Sequence, residues 1–201
     1  MRRFWFLLLL VAGSPALAAP DTVVSVQQLC ASCHGPDGVS RWADVPNIAG
    51  LPEVVIANAL YDYRGHARPC RKPDCVAEGG CPDLSMCGIA EDMSDGMMDN
   101  YAVYYSSRAF GPAANDFDQG MAELGQQIHQ DKCEICHTGG GTDPEDEASI
   151  LRGQNKTYIT NAMGDYRNGD RLGEDAMIQA IKALSDEQTA ALIEFYASPT
   201  E

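Results

Sequence analysis

Two short stretches of this sequence are built for the same chemistry. Cys30-Ala31-Ser32-Cys33-His34 and Cys133-Glu134-Ile135-Cys136-His137 both read C-x-x-C-H. Two thiols three residues apart, followed at once by an imidazole, form the signature of covalent c-type haem attachment. The thiols add to the vinyl groups, and the histidine is placed to ligate the iron from one side. The pattern predicts two covalently bound haem c groups. Cys30, Cys33, Cys133 and Cys136 are the attachment residues, and His34 and His137 are the proximal ligands.

An iron held by one histidine takes its second axial ligand from elsewhere, and a thioether is a soft donor suited to it. The stretch CPDLSMCGIAEDMSDGMMDN (81–100) offers Met86, Met93, Met97 and Met98. An internal repeat separates them. The two attachment stretches lie 103 residues apart, and at that offset IANALYDYRGHAR (56–68) falls on ITNAMGDYRNGDR (159–171). Asn58 then matches Asn161, Tyr63-Arg64 matches Tyr166-Arg167, and Gly50 matches Gly153. Towards the end of each half the offset becomes 91, which puts Met86 on Met177, Ser94-Asp95 on Ser185-Asp186 and Tyr104-Tyr105 on Phe195-Tyr196. Met93 falls on Leu184, and Met97 and Met98 fall on Gln188 and Thr189. Met86 and Met177 are therefore the expected sixth ligands. Met93 and His66 are the rival donors in the first half, each of which also reads as a core or surface residue.

The change of offset leaves about 12 extra residues in the first half, between Arg68 and Met86. They carry Cys70, Cys75 and Cys81, with Cys87 just after the methionine. In an oxidising compartment four such cysteines are expected to form two disulfides, with three pairings open. A zinc site or a sulfur-reactive thiol pair is the alternative.

These residues must be positioned by helices. Val23, Val24, Val26 and Leu29 precede the first attachment site on an expected helix over 22–33. Pro52-Glu53 opens another, running to about Arg64. Ser185 with Gln188 forms a capping box for the last helix, whose apolar face is Leu192, Phe195 and Tyr196. No sustained alternation predicts a sheet, and RAFGPAANDFDQG (108–120) reads as a linker. Tyr63, Arg64, Tyr166 and Arg167 face the haem propionates or the join between halves, or serve ordinary helix packing with exposed arginines. Both readings stand at this level.

The whole pattern resembles class I cytochrome c, duplicated as in the two-haem cytochrome c4 family. The resemblance implies an all-α fold, a tandem duplication of a class I cytochrome c domain with one covalent haem per domain. Domain 1 is expected over 20–110, with the Cys-rich insertion, and domain 2 over 111–201, including a linker at 111–120. In such domains a backbone carbonyl near a proline orients the proximal histidine. Pro46 of VPNIAG holds that place in the first half, and Ser149 in the second. The segments HQDKCEICHTGGG and EDEASILRGQNKTYITNAMGDYR are similar to the cytochrome subunit of flavocytochrome c sulfide dehydrogenase. That likeness implies an FAD-containing partner subunit that oxidises sulfide. The Cys-rich insertion departs from the pattern.

The opening MRRFWFLLLLVAGSPALAAP has a basic start, a short apolar run and a small-x-small site. It reads as a signal peptide over 1–19, cleaved on export to the periplasm, and its apolar run is too short to span a bilayer. The chain carries 14 basic and 29 acidic residues, a net charge of −15, and loses two more positive charges with Arg2 and Arg3. Such a surface repels nucleic acid and anionic membrane and favours a basic or neutral partner. His/Met ligation fills both axial positions, so the expected role is one-electron transfer rather than catalysis. A soluble cytochrome c or another acceptor would take the electrons onward. The competing readings are a free two-haem carrier feeding a terminal oxidase, and a catalytic haem enzyme such as a peroxidase or thiosulfate dehydrogenase. The last needs an open iron, against which Met86 and Met177 argue.

Overall fold

In the computed structural model, which describes residues 21–199, two sets of four helices follow one another. The expected signal peptide at 1–19 lies outside the described residues, as do the side chains of 21–26. The first set is α1 (Asp21–His34), α2 (Glu53–Arg64), α3 (Met86–Glu91) and α4 (Asp95–Ser106). The second is α5 (Gln119–Lys132), α6 (Lys156–Asn168), α7 (Asp175–Lys182) and α8 (Asp186–Ala197). Single turns at Asp74–Ala77 and Thr138–Gly141 lie between them. The described residues hold no strand. No helix among them is long and apolar enough to cross a membrane.

Both offsets of the repeat reappear as geometry. Glu53 and Lys156 begin equivalent helices, and so do Asp95 and Asp186. The serine before each of the latter two caps it: Ser94 accepts from the Met97 amide, and Ser185 from the Gln188 amide in a full capping box. Each cap satisfies amides that a helix start leaves bare, worth about 1 kcal/mol. Gly50 and Gly153 both have positive φ, at 68° and 83°. Their amides donate to Tyr105 O at 2.9 Å and Tyr196 O at 2.8 Å, which pins each loop to its last helix. A side chain at either position would be strained in that backbone region.

Each half has its own core. The first gathers Leu51, Ile56, Leu60, Ala90, Met93, Met98, Tyr101, Ala102 and Tyr105, joined by Ile150 from the second half. The second gathers Ile128, Ile159, Met163, Leu184, Ala191, Leu192, Phe195 and Tyr196. There α5 crosses α8 so closely that a Cβ on Gly125 would lie 2.1 Å from the Ala191 carbonyl oxygen. Full burial of side chains such as Leu192 and Phe195 contributes about 1.5–3 kcal/mol each.

Polar groups join the halves. Asn47 and Gln154 are fully buried and exchange two bonds: the Asn47 amide donates to Gln154 Oε1 at 2.7 Å, and Gln154 Nε2 donates to Asn47 O at 2.8 Å. Asn155 Nδ2 donates to Val45 O at 2.7 Å, and the Tyr158 amide donates to Ala43 O at 3.0 Å. From the linker, Gly111 O accepts from Asn47 Nδ2 while Asn115 Nδ2 donates to Gln154 O. Helix α5 claims Gln119 and Gly120, the last two residues of the expected linker.

Candidate haem-binding sites

His34 ends α1 and is buried; its Nδ1 donates to Pro46 O at 2.9 Å. His137 follows the turn after α5, and its Nδ1 donates to Ser149 O at 3.2 Å. In both, burial pushes the imidazole below its ordinary value, against the opposing effect of the carbonyl bond. A neutral ring with Nδ1 committed leaves Nε2 as the lone-pair donor, and the carbonyl fixes its orientation. The sequence reading of these carbonyls agrees with the structure in both halves.

Cys30, Cys33, Cys133 and Cys136 take no part in a disulfide. Cys30 lies against Tyr105 and Cys133 against Tyr196, and burial raises both thiols. The other four cysteines pair as Cys70–Cys87 and Cys75–Cys81, which resolves the pairing the sequence left open. The second disulfide touches the first attachment site, with Cys75 Sγ 3.9 Å from Cys33 Sγ. No such cover exists at the second site, where Cys136 is exposed and Ile135 is 89% exposed.

Met86 is the first residue of α3 and packs, half-buried, against the first core, as Cys30 does. Met177 is half-buried on α7. Each of the two methionines thus sits on a short helix. Met93 is buried in the first core, and its counterpart Leu184 is buried in the second. His66 is exposed, in a left-handed backbone conformation, with Nδ1 3.2 Å from Cys70 Sγ. Both rivals to Met86 thus have other surroundings.

The conserved-offset pairs Tyr63-Arg64 and Tyr166-Arg167 divide between two jobs. Arg64 bonds Asp95 at 2.7 Å and Arg167 bonds Asp186 at 2.8 Å, each clamping a helix end to the start of the last helix. The tyrosines instead join an array at the seam. Arg68 lies over the Tyr63 ring at 4.5 Å, and Arg171 over the Tyr166 ring at 4.3 Å. Arg68 also donates to the Tyr158 hydroxyl at 3.2 Å. Burial alone would raise the Tyr158 phenol, but the guanidinium groups of Arg68 and Arg171 bring it down to about 8. Arg71 pairs with the buried Asp165 across the same seam.

Sequence reasoning missed Tyr158, which has Val55 as its counterpart and no motif to mark it, and gave no role to Arg68 and Arg171, although the repeat pairs them. It also passed over His129, which is fully buried. His129 Nδ1 meets Tyr196 OH at 2.9 Å, and Nε2 meets Glu134 Oε2 at 2.8 Å and His137 O at 3.0 Å. Both ring nitrogens are committed, so it braces the second attachment turn.

The donor sets fit haem c. Each half offers two unpaired thiols, a neutral oriented imidazole and a thioether on a separate helix. Two buried polar atoms, Tyr105 OH and Arg171 Nε, have no protein partner. Tyr105 OH lies beside the Cys30 sulfur, at the place where a thioether bond to the group would form.

No family model matches the chain. It is 27% identical to cytochrome c4 of Azotobacter vinelandii over 208 residues, 96% of each chain. It is 27% identical to the thiosulfate dehydrogenase electron acceptor of Thiomonas intermedia over 200 residues, 92% of this chain and 84% of that one. Over 71 residues, a third of the chain, it is 38% identical to cytochrome c-554(548) of Halomonas halodenitrificans and covers 82% of it. The structure of reduced recombinant cytochrome c4 from Pseudomonas stutzeri superposes with a TM-score of 0.69 at 23% identity, covering 90% of this chain and all of that one.

Proposed function

Since the chain belongs to the two-haem class I cytochromes c of the cytochrome c4 family, and is an electron-transfer protein carrying two covalent haem c groups, we propose that it serves in the periplasm as the electron-accepting haem subunit of a dehydrogenase that oxidises a reduced inorganic sulfur compound. The partner proposed is an FAD-containing subunit acting on sulfide or a related sulfur compound. The single observation behind a sulfur partner is the near full-length similarity to the thiosulfate dehydrogenase electron acceptor. Export follows from the signal peptide read at 1–19. The two domains are taken as 20–110 and 111–201, with 111–120 as linker.

In this reading Cys30 and Cys33 hold the first haem, ligated by His34 and Met86. Cys133 and Cys136 hold the second, ligated by His137 and Met177. Bound there, haem c supplies reversible one-electron iron chemistry. The chain supplies the rest. Burial keeps each imidazole neutral, and Pro46 O and Ser149 O aim it. The two cores exclude water. The hydrogen-bonded seam of Asn47, Gln154 and Asn155 fixes the halves so that the sites keep one separation. The exposed turn at Ile135 and Cys136 leaves the second site the more open to an exchanging partner.

The test is capture on immobilised holoprotein from periplasm of the source organism, with flavin analysis of the eluate and assay of haem reduction by sulfide and by thiosulfate. A flavoprotein whose substrate-dependent reduction of the haems survives co-purification supports the reading. Sulfur-dependent reduction by a partner without flavin would overturn the FAD assignment alone. A monomer reduced only by unrelated donors would favour the second reading, a free carrier donating to a terminal oxidase.

A further inference from the structure

The insertion places a disulfide immediately beside Met86. Cys87 is the next residue, buried on α3, and its partner Cys70 is exposed. His66 lies against the accessible sulfur, Nδ1 to Cys70 Sγ at 3.2 Å, on a backbone with φ of 54°. A non-glycine residue held in that region is uncommon, and it aims this imidazole at the bond. The second half has no counterpart: residues 169–182 carry no cysteine. The other disulfide, Cys75–Cys81, is less open to attack, with Cys75 fully buried.

We infer that Cys70–Cys87 is a reactive disulfide, opened at Cys70 by a small sulfur nucleophile, either hydrosulfide or a low-molecular-weight thiol, and that opening it loosens the first-half methionine helix. The nucleophile attacks Cys70 Sγ, the exposed sulfur. A new S–S bond forms there as the Cys70–Cys87 bond breaks, and the electron pair leaves with Cys87 Sγ. That sulfur takes a proton from water and faces the Arg68 carbonyl at 4.0 Å as a thiol. The products are a Cys70 persulfide, or a Cys70 mixed disulfide with the thiol, and a Cys87 thiol; the nucleophile supplies both electrons. His66 stands at the point of arrival, where its ring N–H can bind an incoming anion. Removing the crosslink frees α3, a helix of only six residues, from the chain that follows α2. The consequence for iron ligation rests on Met86 being a ligand, whereas the opening itself does not.

The test uses the oxidised holoprotein. It is exposed to sodium hydrosulfide in one arm and to cysteamine in another, quenched with an alkylating reagent, and mapped by peptide mass spectrometry. A parallel sample is alkylated, freed of nucleophile, reoxidised with ferricyanide and only then read by the methionine–iron charge-transfer band, with Cys75–Cys81 and the alkylated thiols unaffected by that step. The expected result is modification at Cys70 and alkylation of Cys87 before any change at Cys75 or Cys81, with loss of about half the band. Reaction in one arm alone identifies which nucleophile the site takes. His66→Asn, which tolerates the same backbone, should slow the opening several-fold and leave the untreated spectrum unchanged. The inference is overturned if Cys75–Cys81 opens first, if neither disulfide opens in the folded protein, or if His66→Asn reacts at the wild-type rate. Met86→Ala separates the two claims. If it leaves the untreated band whole, Met86 is not the ligand, while the mapped opening at Cys70 is judged by the mass data.

Discussion

His34 Nδ1 and the Pro46 carbonyl oxygen are 2.9 Å apart, and the same bond recurs between His137 and Ser149 at 3.2 Å. The acceptor is backbone in both, so a proline in one half and a serine in the other do the same work. The imidazole stays neutral because burial outweighs the carbonyl's pull on its proton. Ser149→Ala should therefore leave the low-spin spectrum and the methionine–iron band of both haems unchanged. Loss of either band would mean that the serine hydroxyl, and not the carbonyl, orients His137.

The methionine assignment separates cleanly by substitution. Met86→Ala and Met177→Ala should each remove about half of the charge-transfer band and open one iron to cyanide. Met93→Ala should keep the band. It empties a site 6% exposed in the first core, a change that costs about 2–5 kcal/mol by loss of transfer energy and a cavity. A Met93 variant that loses the band would make Met93 the ligand.

Two disulfides take four cysteines, and the proposed haem attachment takes Cys30, Cys33, Cys133 and Cys136, so no thiol should remain. Titration of the unfolded, unreduced holoprotein should find none. Protein from cells unable to attach haem should show four, provided that no new pairs form. Two or more thiols in the holoprotein, or bound zinc, would contradict the pairing.

Much of this was legible because the chain says it twice. The repeat paired Met86 with Met177 and Ser94 with Ser185, since both halves solve the same packing problem with the same residues. What escaped is what occurs once. The Cys70–Cys87 and Cys75–Cys81 pairing depends on a loop with no counterpart. The seam residues Asn47, Gln154 and Tyr158 meet across more than a hundred residues of sequence, where no local period reports them. Arg64 and Arg167 had the right spacing for the seam but turn to Asp95 and Asp186, because a helix start offers the nearer carboxylate.

The insertion also fastens the halves together through Arg71 and Asp165, whose carboxylate is only 10% exposed. Arg71→Ala leaves that carboxylate buried without its partner. The arginine is 55% exposed, so the pair is partly screened by water and its loss should cost about 1–2 kcal/mol. Thermal unfolding should show it, and Asp165→Asn on the Arg71→Ala background should recover part of the loss. An Arg71→Ala protein as stable as the wild type would remove the pair from the account of the seam.

Tyr158 gives the seam a pH dependence of known sign. Its phenol ionises near 8 in the folded protein, against an ordinary value near 10, because Arg68 and Arg171 hold the anion despite burial. Arg68 in turn is held charged: burial opposes this, and the phenols of Tyr158, Tyr63 and Tyr166 outweigh it. Between about 8 and 10 the unfolded chain keeps a phenolic proton that the folded one has lost, so stability rises with pH across that window. The contribution is complete above about 10 and is lost as pH falls through about 8. Tyr158→Phe lacks it. The stability of the wild type minus that of Tyr158→Phe, measured by denaturant unfolding, should therefore grow between pH 8 and pH 10, by an amount on the order of 1–3 kcal/mol. Arg68→Lys weakens the stacking on Tyr63 and the bond to Tyr158, and should shrink the growth rather than abolish it. Subtracting the two proteins cancels alkaline changes at the irons that both share. A difference flat from pH 8 to pH 10 would mean that Tyr158 stays protonated between the two guanidinium groups.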